Sequence, residues 1–92
     1  MPDEEQQGTG WKEKEIDNVI ATQKILPLLN DSSDRVRSIT AFALGGIGDT
    51  RTLKPLLMAL KDEESEAVCV EIEKAIKRIV DRVGRHNKGN PR

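Results

Sequence analysis

The chain has 92 residues, of which 34% are charged and 2% aromatic, with a formal net charge of −1, one cysteine and one histidine. That is one small domain with a modest core, and it excludes an internal disulfide, a Cys-rich zinc site and multi-histidine chemistry. No run approaches the roughly 18 apolar residues of a membrane span and no secretory leader pattern opens the chain, so the expectation is a cytoplasmic protein without a membrane segment.

Residues 1–11 begin MPDEEQQGTG, with no apolar residue between Met1 and Trp11. Such a composition buries too little surface to offset ordering entropy, so this stretch is expected to be a disordered tail. Trp11 has two readings. It folds back on the apolar face as a hydrophobic staple, or it meets a partner.

The first predicted helix runs from about Lys12 to Leu29, carried by Ile16, Val19, Ile20, Ile25, Leu26, Leu28 and Leu29. Pro27 interrupts it. A proline there removes a backbone donor and crowds the preceding turn, so the helix either kinks or ends near Gln23 and restarts. Asn30-Asp31-Ser32-Ser33-Asp34 is a polar turn with several N-cap candidates.

The second predicted helix spans about Asp34 to Ile47, with Val36, Ile39, Thr40, Ala43, Leu44 and Ile47 as its apolar stripe. Gly48 closes it, since glycine suits a left-handed C-terminal position. The third, about Thr52 to Lys61, puts Leu53, Leu56, Leu57 and Leu60 on one face, with Pro55 tolerated in its first turn. The fourth runs from about Ser65 or Glu66 to Val83, with Val68, Ile72, Ala75, Ile76, Ile79 and Val83 inward. Residues 84–92, GRHNKGNPR, are expected to be a disordered basic tail. No segment alternates with a period of two, so no strand is expected.

The chain repeats itself. A shift of 31 lays Ile25, Leu26, Leu29 and Asp31 on Leu56, Leu57, Leu60 and Asp62. A shift of 32 lays Val36, Ala43, Leu44, Ile47 and Asp49 on Val68, Ala75, Ile76, Ile79 and Asp81. Two helices per period of this length mark an α-helical solenoid.

The residues that repeat also carry a resemblance. Leu29-Asn30-Asp31-Ser32-Ser33-Asp34-Arg35-Val36-Arg37 leads into Ala41-Phe42-Ala43-Leu44-Gly45-Gly46-Ile47-Gly48-Asp49. Arg51 follows, then Leu53, Pro55, Leu56, Leu57, Ala59, Leu60, Lys61 and Asp62. This resembles the short HEAT-like repeat of the phycobilisome-lyase type, over about Ala21 to Asp81. The second period departs from the pattern at Cys69, Ile72, Glu73, Ile76, Lys77 and Val80, and so resembles a terminal cap. The resemblance implies an all-α fold, a short right-handed solenoid of two helix pairs covering about 12–49 and 50–83. It also implies that Arg37 and Asp49 make hydrogen-bonded ladders between the pairs, against the alternative of two solvated charges. Two units are fewer than the roughly three such architectures prefer. Self-association, a partner chain or a first helix folded over as a cap is therefore expected.

Several residues invite chemistry and resist it. Gly45-Gly46-Ile47-Gly48-Asp49 is glycine-dense, but no strand precedes it and no Lys-Ser or Lys-Thr follows, so it is no phosphate loop; close helix packing and a helix stop explain it. Cys69 has acids nearby and no histidine, which favours a packing or surface thiol over a reactive one. His86 has no partner at ligand or acid–base spacing and reads as solvated. No catalytic, cofactor or metal residue is named, and the chain is expected not to be an enzyme.

Phe42 stands out as the only phenylalanine. By the resemblance, its position is variable, lies on the concave surface of the second helices, and corresponds to Lys74. It is either an interface anchor or packs against the first helix or the neighbouring pair. Residues 1–34 carry eight acids and three bases, whereas 77–92 carry six bases and one acid. The basic end, Lys77, Arg78, Arg82, Arg85, Lys88 and Arg92, either touches a phosphate backbone or complements a helix C-terminus. No aromatic residues interleave with it, which disfavours nucleic acid.

The expected function is a non-catalytic protein–protein interaction or scaffold module that binds a protein partner through Arg35, Ser38, Ile39, Phe42, Gly46, Val70, Glu71, Lys74 and Arg78. The competing expectation is an accessory subunit of a phycobilin-lyase-like enzyme, or weak nucleic-acid binding by the basic end.

Overall fold

A computed structural model describes residues 17–88, with side chains described to residue 84. The expectations for residues 1–11, Trp11 and Ile16 lie outside the described residues, as does the side chain of His86. The described chain is all-helical, with no strand among the described residues.

The first helix, α1, is described over 17–25. At Leu26–Asn30 the chain tightens into a 3-10 turn, with Pro27 in its opening positions. Pro27 has no N–H to continue an α-helical ladder and its ring crowds the turn before it, so the α-helix stops and does not kink. The buried side of this segment passes through Thr22 and Leu29, with Ile25 and Leu26 packed alongside. Ile20 and Leu28, expected inward, are exposed.

The turn that follows is built from side-chain caps. Asp31 Oδ2 accepts from the Ser33 N–H at 2.9 Å, and Ser33 Oγ accepts from the Val36 N–H at 3.3 Å. Helix α2 then spans Asp34–Ile47 and ends at Gly48, whose φ of 76° is the left-handed conformation that glycine adopts without a Cβ clash. Asp49 caps a short 3-10 turn, Thr50–Thr52, which leads into α3, Leu53–Asp62. The second inter-helix turn copies the first. Glu63 Oε2 accepts from the Ser65 N–H at 3.0 Å, and Ser65 Oγ accepts from the Val68 N–H at 3.4 Å.

Helix α4 spans Glu66–Lys88, past the expected end at Val83. Gly84 lies inside it and does not adopt a positive φ. A helical glycine costs about 1 kcal/mol relative to alanine, too little to stop a helix anchored by its first turns. Residues 84–88 are therefore helix, not the start of a tail.

The core is Leu29, Ala41, Leu44, Leu56, Val68, Ile72, Ala75 and Ile79. Helix α4 runs through its middle, packing chiefly on α2 and also on α3. The side of α2 that enters the core keeps Thr40 and Leu44 of the expected stripe but adds Ala41 and Gly45 in place of the rest. Thr40, Ala41, Leu44 and Gly45 are buried, while Val36, Ala43 and Ile47 are half-buried and Ile39 is exposed. The reason is close approach. A Cβ placed on Gly45 would lie 2.9 Å from the Ala75 Cα. Only a residue without bulk fits where two backbones come this near, so Gly45 faces α4 at this point. On α4 the expected stripe is buried at Val68, Ile72, Ala75 and Ile79, with Ile76 half-buried and Val83 exposed.

Candidate interaction surface

The rotation of α2 that brings Gly45 onto Ala75 leaves the neighbouring flank of the helix in solvent. Arg35, Ile39, Phe42 and Gly46 recur every three or four residues, so they form one row on that exposed side. Phe42 is 62% exposed and Ile39 58%. On α4 the row Ala67, Glu71, Lys74 and Arg78 flanks Ala75 on the side toward α2.

The two rows meet in a shallow groove. Its first hollow is lined by Ser38, Ile39, Phe42, Ala67 and Glu71. Its second is lined by Phe42, Glu71, Lys74, Ala75 and Arg78. Phe42 and Glu71 belong to both, so they stand at the centre. The Arg78 guanidinium carbon lies 5.4 Å from the centroid of the Phe42 ring. A cation over an aromatic face at an exposed site contributes about 0.5–1 kcal/mol and fixes both side chains. Lys74 Nζ lies 3.9 Å from Glu71 Oε2, the outer limit of an ion pair.

The structure thus brings together six of the nine expected binding residues: Ser38, Ile39, Phe42, Glu71, Lys74 and Arg78. Arg35, Gly46 and Val70 are exposed but line neither hollow. Ala67 was missed. Its signal was its place four residues before Glu71, on the same side of α4. Phe42 is not packed into the core; it stands in solvent against Arg78.

Arg37 and Asp49 do not meet each other. Arg37 reaches across to the second inter-helix turn, where Nε and Nη2 donate to Glu63 Oε1 and Oε2 at 2.9 and 3.0 Å. It also donates to Asp34 Oδ1 at 2.6 Å and to the Asp31 carbonyl at 2.7 Å. One guanidinium therefore ties the two turns together. Its hydrogen bonds hold the Glu63 carboxyl below its ordinary range, against the opposing effect of desolvation. Glu63 was not among the expected site residues. The signal for it was its alignment with Asp31 at a shift of 32. Asp49 works locally: it accepts from the Arg51 backbone N–H at 2.9 Å and from its guanidinium at 3.1 and 2.9 Å. Arg51 thereby draws the Asp49 carboxyl down. The end of α2 is held by Arg82 instead, whose Nη1 donates to the Ile47 carbonyl at 3.3 Å.

Cys69 is half-buried, with its thiol 3.7 Å from the Glu63 carbonyl oxygen, a packing position at the start of α4. Among the described residues no group of three or more His, Cys, Asp or Glu is placed to hold a metal. A larger and more apolar cleft lies on another side of the molecule, between the 3-10 turn at Leu26–Asn30 and α3, lined by Leu26, Pro27, Pro55, Met58 and Ala59 among others. No described helix is long and apolar enough to cross a membrane. Compared with protein-family models, with curated proteins and with solved structures, the chain finds no match.

Proposed function

We propose that this chain is a non-catalytic protein-interaction module of the short HEAT-like repeat kind, and that a protein partner docks in the groove between α2 and α4. Three features support the repeat reading. They are the internal period of 31 to 32 residues, the cap scheme Asp31–Ser33–Val36 that recurs as Glu63–Ser65–Val68, and the Arg37 bridge between those turns. The observation that carries the docking reading is Phe42: the only phenylalanine of the chain stands 62% exposed at the centre of a groove, beside an exposed Ile39. Single exposed apolar residues are ordinary on a protein surface. An aromatic and a branched aliphatic side by side in a concavity, ringed by Lys74, Arg78 and Glu71, have the make-up of an interface anchor.

The test is an affinity capture from the native source with three baits: the wild type, Phe42→Ala, and Leu57→Ser, which alters an exposed leucine of α3. The reading expects a stoichiometric protein retained by the wild type and by Leu57→Ser but lost with Phe42→Ala. Equal retention by all three baits, or loss only with Leu57→Ser, overturns it.

A further inference from the structure

The charges around Phe42 are out of balance, and the imbalance describes the partner. Arg78 lies over the Phe42 ring, and Arg35 stands two turns before Phe42 on the same exposed row of α2. Among the described residues neither guanidinium is in an ion pair. Lys74 has only the distant Glu71 carboxylate at 3.9 Å. The acids at the two helix starts do not redress this. Asp34 is held by Arg37, and both Asp34 and Glu66 sit in the first turns, where the helix dipoles already favour them. Among the described residues the groove therefore sets three cations, Arg35, Lys74 and Arg78, around an apolar centre against the single carboxylate of Glu71.

We infer that the groove takes an acidic amphipathic segment of a partner protein: an apolar side chain or two seated on Ile39 and Phe42, with carboxylates reaching Arg35, Lys74 and Arg78. The inference rests on the reading of the groove as a docking surface and adds the chemistry of the occupant. A helical segment suits the site. Its own apolar row, spaced three and four apart, matches the spacing of Ile39 and Phe42, and its flanking acids fall toward Arg35 of α2 and toward Lys74 and Arg78 of α4. Arginine fits the role because its planar fork binds a carboxylate through two N–H groups while its face stays on an aromatic ring. Rim charges of this sort act mainly on selectivity and association rate, so the preference must weaken as salt rises.

The experiment is fluorescence anisotropy on the full chain with two labelled synthetic helix-forming peptides of identical apolar row, one flanked by glutamates and one by lysines, at low and high salt. The glutamate peptide is expected to bind at least about tenfold tighter than its lysine twin at low salt, with the gap narrowing at high salt. Lys74→Glu with Arg78→Glu should abolish or reverse the preference, and Phe42→Ala should weaken the glutamate peptide by about tenfold or more. The charge variants lie in solvent, and circular dichroism checks that they remain folded. Equal binding of both peptides, or a preference for lysine, with Phe42→Ala still weakening them, overturns the acidic occupant and leaves the docking surface standing. Absence of binding by either peptide, or binding indifferent to Phe42→Ala, also overturns the acidic occupant; the docking surface is then judged by the three-bait capture.

Discussion

Gly45 of α2 faces Ala75 of α4 so closely that a methyl group on the glycine would lie 2.9 Å from the Ala75 Cα and 3.0 Å from its Cβ. The obstacle is backbone, which cannot swing aside. Gly45→Ala should therefore destabilise the protein by about 1–3 kcal/mol as the helices are forced apart, less the roughly 1 kcal/mol that alanine gains as a helix former. Gly46 is the built-in control: nothing lies within 4 Å of its added Cβ. Gly46→Ala should stabilise by up to about 1 kcal/mol. Urea midpoints of the two variants should move in opposite directions from the wild type.

Leu44 is fully buried, whereas Ile76 is half-buried beside the core. Leu44→Ala should cost about 2–5 kcal/mol through lost transfer energy and the cavity left behind. Ile76→Ala should cost less than Leu44→Ala, because solvent already reaches part of the side chain. Thermal melts ranked in the opposite order would contradict the packing described.

Phe42 makes the reverse case. Its ring is exposed and its described aromatic contact is with Arg78, so Phe42→Ala should lower stability by no more than about 1 kcal/mol. A loss as large as that of Leu44→Ala would mean that the ring serves the fold and not a partner. The same unfolding curves measure both variants.

The Arg37–Glu63 clasp has a pH signature. Glu63 is held below its ordinary value of 4.5, first by the Arg37 hydrogen bonds and further by the Ser65 N–H. A carboxylate with a lower pKa in the folded state adds stability that is fully present above its unfolded pKa and is lost as pH falls through the folded one. The melting temperature should therefore drop between about pH 5 and the folded pKa, and Glu63→Gln should flatten part of that drop. The hydrogen bond to Glu63 pushes the Arg37 guanidinium still further up, so its contribution is present throughout the neutral range and adds no slope there. Asp49 is lowered by Arg51 and carries its own share of the acid slope, which Asp49→Asn isolates. An unchanged acid slope in Glu63→Gln would remove the clasp from the account.

Much of the fold was legible in local signals. The polar turn Asn30–Asp34 and Gly48 marked where α2 begins and ends, and α2 spans Asp34–Ile47 as its apolar spacing predicts. The groove was legible in part, because residues three or four apart on a helix share a side whatever surrounds them. The inward side of α2 was legible in part: Thr40 and Leu44 of the predicted stripe are buried, while Val36, Ala43 and Ile47 are only half-buried. That Ala41 and Gly45 join the core was not legible from apolar spacing. The same holds for Arg37, whose partner Glu63 lies 26 residues away.

Apolar spacing and turn residues, which act on neighbours within a turn or two, thus determined a small helical chain, and self-alignment of the sequence showed its period of 31 to 32 residues. The tertiary structure alone decided how far each helix is rotated about its axis. That rotation follows from how near two backbones can come, and it is what leaves the single phenylalanine in solvent beneath Arg78.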